Sequence, residues 1–186
     1  MLPLDLVLTT QNYRLRKTDE TDIEFAFAAS RFPGFNDGMQ WDPPKAIAEM
    51  IALAQRNHKR WLDGYEFTFT IETVTKPYER LGRISIRKTD STDIWNVGFW
   101  THPNHHGKGI MTEALGKVIE LGFTELDAIE VTSDYAIWNK ASERVMVKNG
   151  LQLVEFMEKG FKKKGEWVAK NKYGIKRSEW HNLRKG

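Results

Sequence analysis

The spacing of hydrophobic residues predicts that this chain opens with one strand and two helices. Residues 13–17 alternate between apolar and polar side chains, as in a short strand. A helix is predicted over residues 25–32, because acidic residues that favour a helix start precede it. A second helix is predicted over residues 43–62, where two prolines open a helical pattern. The aromatic segment between these helices, residues 34–42, is expected to be a loop.

The rest of the chain alternates between strand and helix patterns. The predicted elements, in chain order, are strands over 65–71, 81–86 and 95–101, a helix over 110–122, a strand over 128–133, a helix over 140–149, and strands over 151–161 and 167–173. Helices connect strands only in the second half, so the pattern predicts an α+β fold with a mixed sheet. The length favours one domain over residues 1–186.

Composition and charge exclude several classes of function. Hydrophobic residues make up 40% of the chain and charged residues 28%, which is typical of a globular protein. The formal net charge is only +3, and acidic residues are interspersed with basic ones, so we expect no direct binding to nucleic acid. The absence of cysteine excludes disulfides, thiolate metal sites and a cysteine nucleophile. The first ten residues have no basic region, and no apolar stretch approaches about eighteen residues, so we expect a cytoplasmic protein without a membrane span.

The densest basic cluster consists of Lys162, Lys163 and Lys164, which lie between Gly160 and Gly165. Charged runs between two predicted strands are common at loop tips. We therefore interpret this cluster as a solvated hairpin tip rather than as an anion-binding site.

The most informative segment, residues 102–115, connects a predicted strand to the helix that follows it. Gly107 and Gly109 lie one residue apart at the start of that helix. Main-chain N–H groups at a helix N-terminus have no helical acceptor, and the helix dipole adds about half a positive charge there. The glycines leave room for a ligand and can adopt positive φ, and Lys108 adds a cation. This junction is therefore a predicted phosphate site.

Two glycines alone leave alternatives open, including a tight turn that binds nothing. A P-loop is excluded, because no glycine lies five positions before Gly107 and Gly109 replaces the Ser or Thr after the lysine. A dinucleotide fingerprint fits poorly, because Thr112 replaces its third glycine and the upstream strands resemble hairpins. An NAD-dependent oxidoreductase would need Glu130 for the ribose.

A third pattern fits well. Residues 102–115, HPNHHGKGIMTEAL, resemble the acetyl-CoA-binding motif of GNAT acetyltransferases, with Asn104 where that motif has Gln or Arg. Three further segments are similar to the branch that contains the ribosomal-protein N-terminal (RimJ/RimL-like) acetyltransferases. These segments are TQNYRLR at 10–16, the strand 81–86 that begins with LG, and NKASERVMVKNGL at 139–151. Together they span nearly the whole chain in the family's order.

The resemblance implies a largely antiparallel central sheet flanked by helices. The strand that ends at Thr101 would splay away from strand 128–133 and hold acetyl-CoA between them, while Trp95 is expected to pack in the core. The implied cofactor-binding residues are Trp100, Thr101, His102, Asn104, His105, His106, Gly107, Lys108, Gly109, Ile110, Met111, Thr112 and Asn139.

The resemblance also implies transfer of the acetyl group to a primary amine, foremost a protein N-terminal α-amine. Ser142 would return a proton to the leaving thiolate, and Tyr135 is the alternative acid. Asn139 would contact the pantetheine and also cap its helix, since an asparagine at this position satisfies free amides. A non-catalytic acyl-CoA sensor and an enzyme for small-molecule amines remain alternatives.

The base and the acceptor pocket are less defined. Glu72, Glu130 and Asp134 lie on or beside the relevant strands and are candidate bases, although for each we favour the interpretation as an ordinary solvated strand residue. Phe35 and Trp41 are candidate acceptor contacts, because aromatic residues in a loop have more reason to bind than to pack.

No metal site is expected. His105 and His106 are adjacent and therefore do not share a face, and no other residue has ligand spacing to them.

Overall fold

The computed structural model describes residues 1–91 and 93–184. The strands in this part of the chain are β1 (Val7–Thr9), β2 (Tyr13–Lys17), β3 (Glu66–Thr73), β4 (Arg80–Lys88), β5 (Ile94–Thr101), β6 (Glu130–Ala136), β7 (Gln152–Lys163) and β8 (Glu166–Lys176). The α-helices are α1 (Ile23–Ala29), α2 (Ile47–Leu62), α3 (Ile110–Thr124), α4 (Lys140–Lys148) and α5 (Arg177–Leu183).

All eight strands belong to one sheet, in the order β1-β2-β3-β4-β5-β6-β8-β7. Neighbouring described strands are antiparallel except β5 and β6, which are parallel. Helix α3 connects this parallel pair, as expected for a parallel crossover. The α+β class and the largely antiparallel sheet are thus confirmed.

The core lies between α3 and one face of the sheet. A Cβ placed on Gly122 of α3 would lie 3.0 Å from Val131 and 3.2 Å from Ile86, so the helix backbone is close to the strands. Trp95 belongs to this core, is 2% exposed and stacks on Phe67, which confirms its predicted packing role. Burial of such large side chains stabilises the strands that carry the site.

Helix α1 is fixed on the opposite face of the sheet by a buried carboxylate. Asp22 is fully buried just before α1 and receives hydrogen bonds from Arg16, Arg80 and Thr70. Burial alone would raise the pKa of Asp22, but the hydrogen bonds and charge of Arg16 outweigh it and lower that pKa. The start of α1 is therefore tied to both β2 and β4.

Two elements were not predicted. Strand β1 has only three residues and exists through its pairing with β2, from Val7↔Arg16 to Thr9↔Arg14. Helix α5 has seven residues and is held by Trp180, whose ring contacts Phe123 of α3. Both depend on tertiary contacts, which a periodicity argument cannot detect. Within the described residues, no helix is both long and apolar enough to cross a bilayer.

Candidate active site

Strands β5 and β6 separate halfway along their length. They pair from Ile94↔Glu130 to Val97↔Ser133, while β5 continues beside β4 to Thr101 and β6 continues beside β8 to Ala136. The hydroxyl of Ser133 donates to the carbonyl oxygen of Val97 at 2.8 Å, at the last paired position. Beyond it the two strands form an open slot, as the resemblance implied.

Main-chain groups of β5 face this slot. The carbonyl of Val97 points towards β6, whereas the N–H of His102 points the other way and donates to Leu81 of β4. Because successive residues of a strand alternate, the N–H and C=O of Phe99 and the N–H of Thr101 also point into the slot. The carbonyl of Thr101 is already paired with Nε2 of His106 at 3.0 Å. Sequence reasoning missed Phe99, because its contribution is main-chain and depends on the register of the strand.

The loop before α3 presents a row of free amides. Gly107 and Gly109 have φ of 79° and 76°, a region that other residues rarely adopt. In the described part of the chain, the N–H groups of residues 107–111 have no hydrogen-bond acceptor, and the first N–H with one is that of Thr112, bonded to Gly109. These amides lie at the N-terminus of a 15-residue helix with Lys108 among them. This arrangement suits the two phosphates of a pyrophosphate.

The loop is supported from the side of β2. Tyr13 donates a hydrogen bond from its hydroxyl to the carbonyl of Lys108 at 3.4 Å. The amide of Asn12 donates to Glu113 in the first turn of α3 at 2.7 Å. Residues of the segment that resembles the family's opening motif therefore position the start of α3.

His102 lies at the start of the loop and packs against aromatic side chains. His102 stacks on Phe25 and meets Phe32 edge-on, so its ring lies against α1 rather than over the row of amides. Its Nδ1 accepts from the N–H of Asn104 at 3.3 Å. Burial lowers the pKa of His102, and the neighbouring His105 and His106 lower it further. His102 therefore anchors the loop as a neutral side chain.

Asn139 and Ser142 lie together at the start of α4. The Oδ1 of Asn139 accepts from the N–H of Ser142 at 3.2 Å, so the capping role of Asn139 is present. Ser142 is half-buried, and its hydroxyl has no hydrogen-bond partner among the described residues. The hydroxyl is therefore not held by another side chain of the described chain.

Tyr135 has a more enclosed position. It is 4% exposed on β6, and its hydroxyl accepts from Nδ2 of Asn171 at 3.1 Å. Its ring packs 5.5 Å from that of Tyr173, whose hydroxyl donates to Glu143 at 3.2 Å. Burial, together with Tyr135 and Glu143, raises the pKa of Tyr173 to about 12. Tyr135 therefore belongs to a hydrogen-bonded cluster beneath α4.

The three candidate bases occupy different surroundings. Glu72 is 4% exposed and pairs with Arg14 and Arg16, and Glu130 lies at the closed end of the β5–β6 pair. Asp134 follows the last paired residue, Ser133, at the mouth of the slot. Asp134 is the candidate that the fold brings beside the slot.

Contacts hold Asp134 in place. Its Oδ2 accepts from Asn96 at 3.2 Å, and the ammonium of Lys170 lies 3.7 Å from its Oδ1. That Oδ1 is buried and has no hydrogen bond within the described residues. Asp134 is therefore held beside the slot as one partner of an ion pair.

The aromatic loop, residues 34–42, borders the slot on the side of α1. Phe35 meets Trp100 edge-on at 5.3 Å and Trp41 at 6.3 Å, and Trp41 is 45% exposed. A Cβ placed on Gly38 would lie 3.5 Å from Nδ2 of Asn139, so this loop also contacts the start of α4. The structure thus brings the predicted acceptor residues and Asn139 to one site.

Lys163 corrects the interpretation of the lysine cluster. Its ammonium donates to the carbonyls of Trp41 at 2.8 Å and Met39 at 3.3 Å, and pairs with Asp42 at 2.9 Å. Its side chain is only 9% exposed, whereas Lys164 lies at the hairpin tip as predicted. The sequence places more than 120 residues between these partners, so only the fold could reveal that Lys163 holds the aromatic loop.

Among the described residues, no group of three or more His, Cys, Asp or Glu side chains could hold a metal ion.

The splayed parallel pair of strands, and the row of free amides at the start of the crossover helix, are the features that the resemblance to acetyl-CoA-binding transferases implied. Residues 13–152 match the model of the acetyltransferase (GNAT) domain. The chain is 30% identical over 174 residues to the uncharacterized N-acetyltransferase YnaD of Bacillus subtilis (strain 168), covering 94% of this chain and 99% of that protein. The chain therefore belongs to the GNAT acetyltransferase family.

Solved structures share this fold. One is RimL, a ribosomal L7/L12 alpha-N-protein acetyltransferase in complex with coenzyme A, with a TM-score of 0.83, 19% identity, and coverage of 92% of this chain and 98% of that chain. Another is spermidine N-acetyltransferase from Vibrio cholerae in complex with CoA and spermine, with a TM-score of 0.81, 17% identity, and coverage of 93% and 100%. The chain is an N-acetyltransferase of this family, and acetyl-CoA is its acyl donor.

Proposed function

We propose that this enzyme transfers the acetyl group of acetyl-CoA to the α-amine of a protein N-terminus, by direct attack in a ternary complex. The observation that carries the proposal is the open slot between β5 and β6, with free amides at one end and the aromatic loop beside it. The fold of RimL, whose described substrate is the α-amine of a ribosomal protein, supports this choice of acceptor.

The donor side of the site is made of main-chain groups. The N–H groups of residues 107–111 would bind the pyrophosphate, with Lys108 adding charge. The carbonyl of Phe99 and the N–H of Thr101 would pair with the pantetheine arm, and Asn139 would contact it from α4. Bound in this way, acetyl-CoA supplies an activated acetyl thioester.

Proton transfers are assigned to two side chains. The new bond joins the amine nitrogen to the acetyl carbon, and the bond between that carbon and sulfur breaks. The amine loses a proton to Asp134, which passes it to solvent, and the departing thiolate receives one from Ser142, which regains it from solvent. A donor N–H at the acetyl oxygen, here that of Phe99, would lower the barrier by about 3 kcal/mol.

The site has only one candidate general base among the described carboxylates considered, which favours an α-amine over a lysine side chain as the acceptor. An α-amine has a pKa of about 8 and is partly neutral at physiological pH, whereas a lysine amine near about 10.4 is almost entirely protonated. Among the described carboxylates that were candidate bases, only Asp134 borders the slot. A single base is enough for an acceptor that is already partly deprotonated.

One domain over residues 1–186 is part of this proposal. The central sheet takes β1 and β2 from the start of the chain and β7 and β8 from its end, so all segments contribute to one structure. Division of the chain between β5 and β6 would leave each of these strands with one unpaired edge.

The experiment combines calorimetry with an acetylation assay. Acetyl-CoA should bind the wild type and a Lys159→Glu control, and bind about tenfold more weakly to Lys108→Glu, because Lys108 lies among the phosphate-binding amides. Turnover is then measured with a peptide that has a free α-amine, an Nα-acetylated lysine peptide, and spermidine. Preference for the free α-amine supports the proposal, preference for spermidine overturns the choice of acceptor, and binding without turnover of any amine would indicate a sensor.

A further inference from the structure

Beside the acceptor site lies an arginine, Arg83, that has no counter-ion within the described residues. Arg83 of β4 is paired in register with Thr70 on one side and Trp100 on the other, so the three side chains share a face of the sheet. Its guanidinium lies 5.8 Å from the centre of the Trp100 ring. The other aromatic neighbours of Trp100 are Phe25 and Phe35, so Arg83 borders the aromatic part of the site.

The guanidinium is poorly satisfied within the described residues. In the described part of the chain, its Nε is buried without a hydrogen-bond acceptor, and no carboxylate lies within ion-pairing distance of the guanidinium. Arg83 is nevertheless only half-buried, and its terminal nitrogens, unlike Nε, do not belong to the fully buried unpaired atoms of the described chain. An arginine in this state costs free energy unless a ligand completes its hydrogen bonds.

The nearest carboxylate, Asp22, is already saturated. It receives two hydrogen bonds from Arg16 and one each from Arg80, Thr70 and the N–H of Asp19. Five donors fill the lone pairs that two carboxylate oxygens offer. Asp22 therefore has no place for Arg83.

This face of the sheet carries more positive than negative charge. Arg14, Arg16, Arg80 and Arg83 share the region with the buried carboxylates of Asp22 and Glu72 and with the exposed Asp19. Burial and the nearby Arg16 lower the pKa of Arg83, and only Asp22 opposes them. An arginine keeps its charge at neutral pH even so, and one positive charge remains without a partner.

We propose that Arg83 binds a carboxylate of the acceptor, so that the enzyme selects amines that carry an acidic group close to the nitrogen. A guanidinium presents two parallel N–H groups to a carboxylate, and the Trp100 ring excludes water from one side. Adjacent strands lie about 5 Å apart, so Arg83 is one strand away from the slot. The acidic group would belong to the first or second residue of a peptide, or to a small amino acid.

The inference rests on the proposed function, because the acceptor must enter on the Trp100 side of the slot. Two pairs of acceptors test it: Ala-Asp-Ala-Ala-amide against Ala-Asn-Ala-Ala-amide, and alanine against alaninamide. The kcat/KM ratio within each pair is measured for the wild type, Arg83→Met and Arg83→Lys. Arg56→Met is the matched control, since Arg56 is exposed on α2.

For the wild type we expect the Asp peptide to be preferred by about tenfold, a typical contribution of one charge-assisted hydrogen bond. Arg83→Met should lose this preference while its affinity for acetyl-CoA, measured by calorimetry, is unchanged. Arg83→Lys should keep part of it, and Arg56→Met all of it. The wild-type ratio alone tests the inference if Arg83→Met does not fold.

The outcomes separate this inference from the proposed function. Equal turnover of both members of each pair by the wild type overturns the inference and leaves the proposed function in place. If Arg83→Met lowers kcat/KM equally for the acidic and the neutral acceptor of a pair, the inference is also overturned, because a purely structural role of Arg83 would have this effect. An acid preference seen only with alanine supports the inference and overturns the protein acceptor, whereas no turnover of any amine overturns both.

Discussion

The hydroxyl of Ser133 donates a hydrogen bond to the carbonyl of Val97 at 2.8 Å, at the point where strands β5 and β6 separate. It is the last link between the two strands before the slot opens. A side-chain donor here satisfies a main-chain acceptor at the position where the ladder ends. The hydrogen bond thus fixes where the slot begins.

Replacement of Ser133 by alanine should therefore reduce stability and binding together. We expect a loss of about 1 kcal/mol in the free energy of unfolding, because a buried hydrogen bond to the carbonyl of Val97 is removed. Urea denaturation measures the loss, and calorimetry should show weaker binding of acetyl-CoA. Ser85→Ala is the control, since Ser85 has no hydrogen bond among the described residues and should change stability by less than about 0.5 kcal/mol. Equal stability of the two variants would contradict the assignment.

Lys163→Met should weaken the binding of the acceptor amine and leave the binding of acetyl-CoA unchanged. The change removes the hydrogen bonds that hold Met39 and Trp41 in the aromatic loop. We expect the KM of the acceptor to rise about threefold to tenfold, while the dissociation constant of acetyl-CoA stays unchanged. Lys164→Met removes the same charge from the exposed hairpin tip and should leave both values unchanged. A similar rise of KM in both variants would argue against a specific role of Lys163.

Ser142 and Tyr135 can be distinguished by their variants. Ser142→Ala should lower kcat by about tenfold, because a thiolate with a pKa near about 8.5 is a fair leaving group even without an acid. Tyr135→Phe should instead lower stability by about 1 kcal/mol, since it removes the acceptor of Asn171. Steady-state kinetics and urea denaturation on both variants check this division. A large loss of kcat in Tyr135→Phe alone would transfer the role of acid to Tyr135.

Asp134→Asn should lower kcat/KM for the amine without weakening the binding of acetyl-CoA. The amide keeps the shape of the side chain but cannot take a proton from the acceptor. The pH profile of kcat/KM should therefore become steeper in the variant, since only amine that is already neutral can react. Glu130→Gln, at the closed end of the strand pair, is the control and should keep the wild-type profile. An unchanged profile in Asp134→Asn would exclude Asp134 as the base.

We expect the folded protein to lose stability at acidic pH because of His102. Its pKa is lowered below the ordinary 6.5 in the folded protein, so the unfolded chain binds the extra proton more readily. The stability that His102 contributes is complete above about pH 6.5 and declines as the pH falls towards the folded pKa. The drop in Tm between about pH 7.5 and about pH 5.5 should be smaller in His102→Asn, in which the amide oxygen can still accept from Asn104. Identical drops in the two proteins would show that His102 does not titrate in this way.

The sequence by itself determined the order of most elements and the nature of the donor site. Periodicities of two and 3.6 identified β2 to β8 and α1 to α4, because each pattern reflects which side of an element is buried. Gly107 and Gly109 identified the loop before α3, because a positive φ and free amides at a helix start are local properties. The GNAT resemblance followed from these same residues, and the family match over residues 13–152 confirms it.

Only the tertiary structure decided which residues meet at the slot. Phe99 faces it through the register of β5, Asp134 borders it because pairing stops at Ser133, and Lys163 reaches the aromatic loop across more than 120 residues. Arg83 lacks a counter-ion among the described residues for the same kind of reason, because five hydrogen bonds from three parts of the chain already saturate Asp22. Such relationships depend on strand register and long-range packing, and no local pattern encodes them.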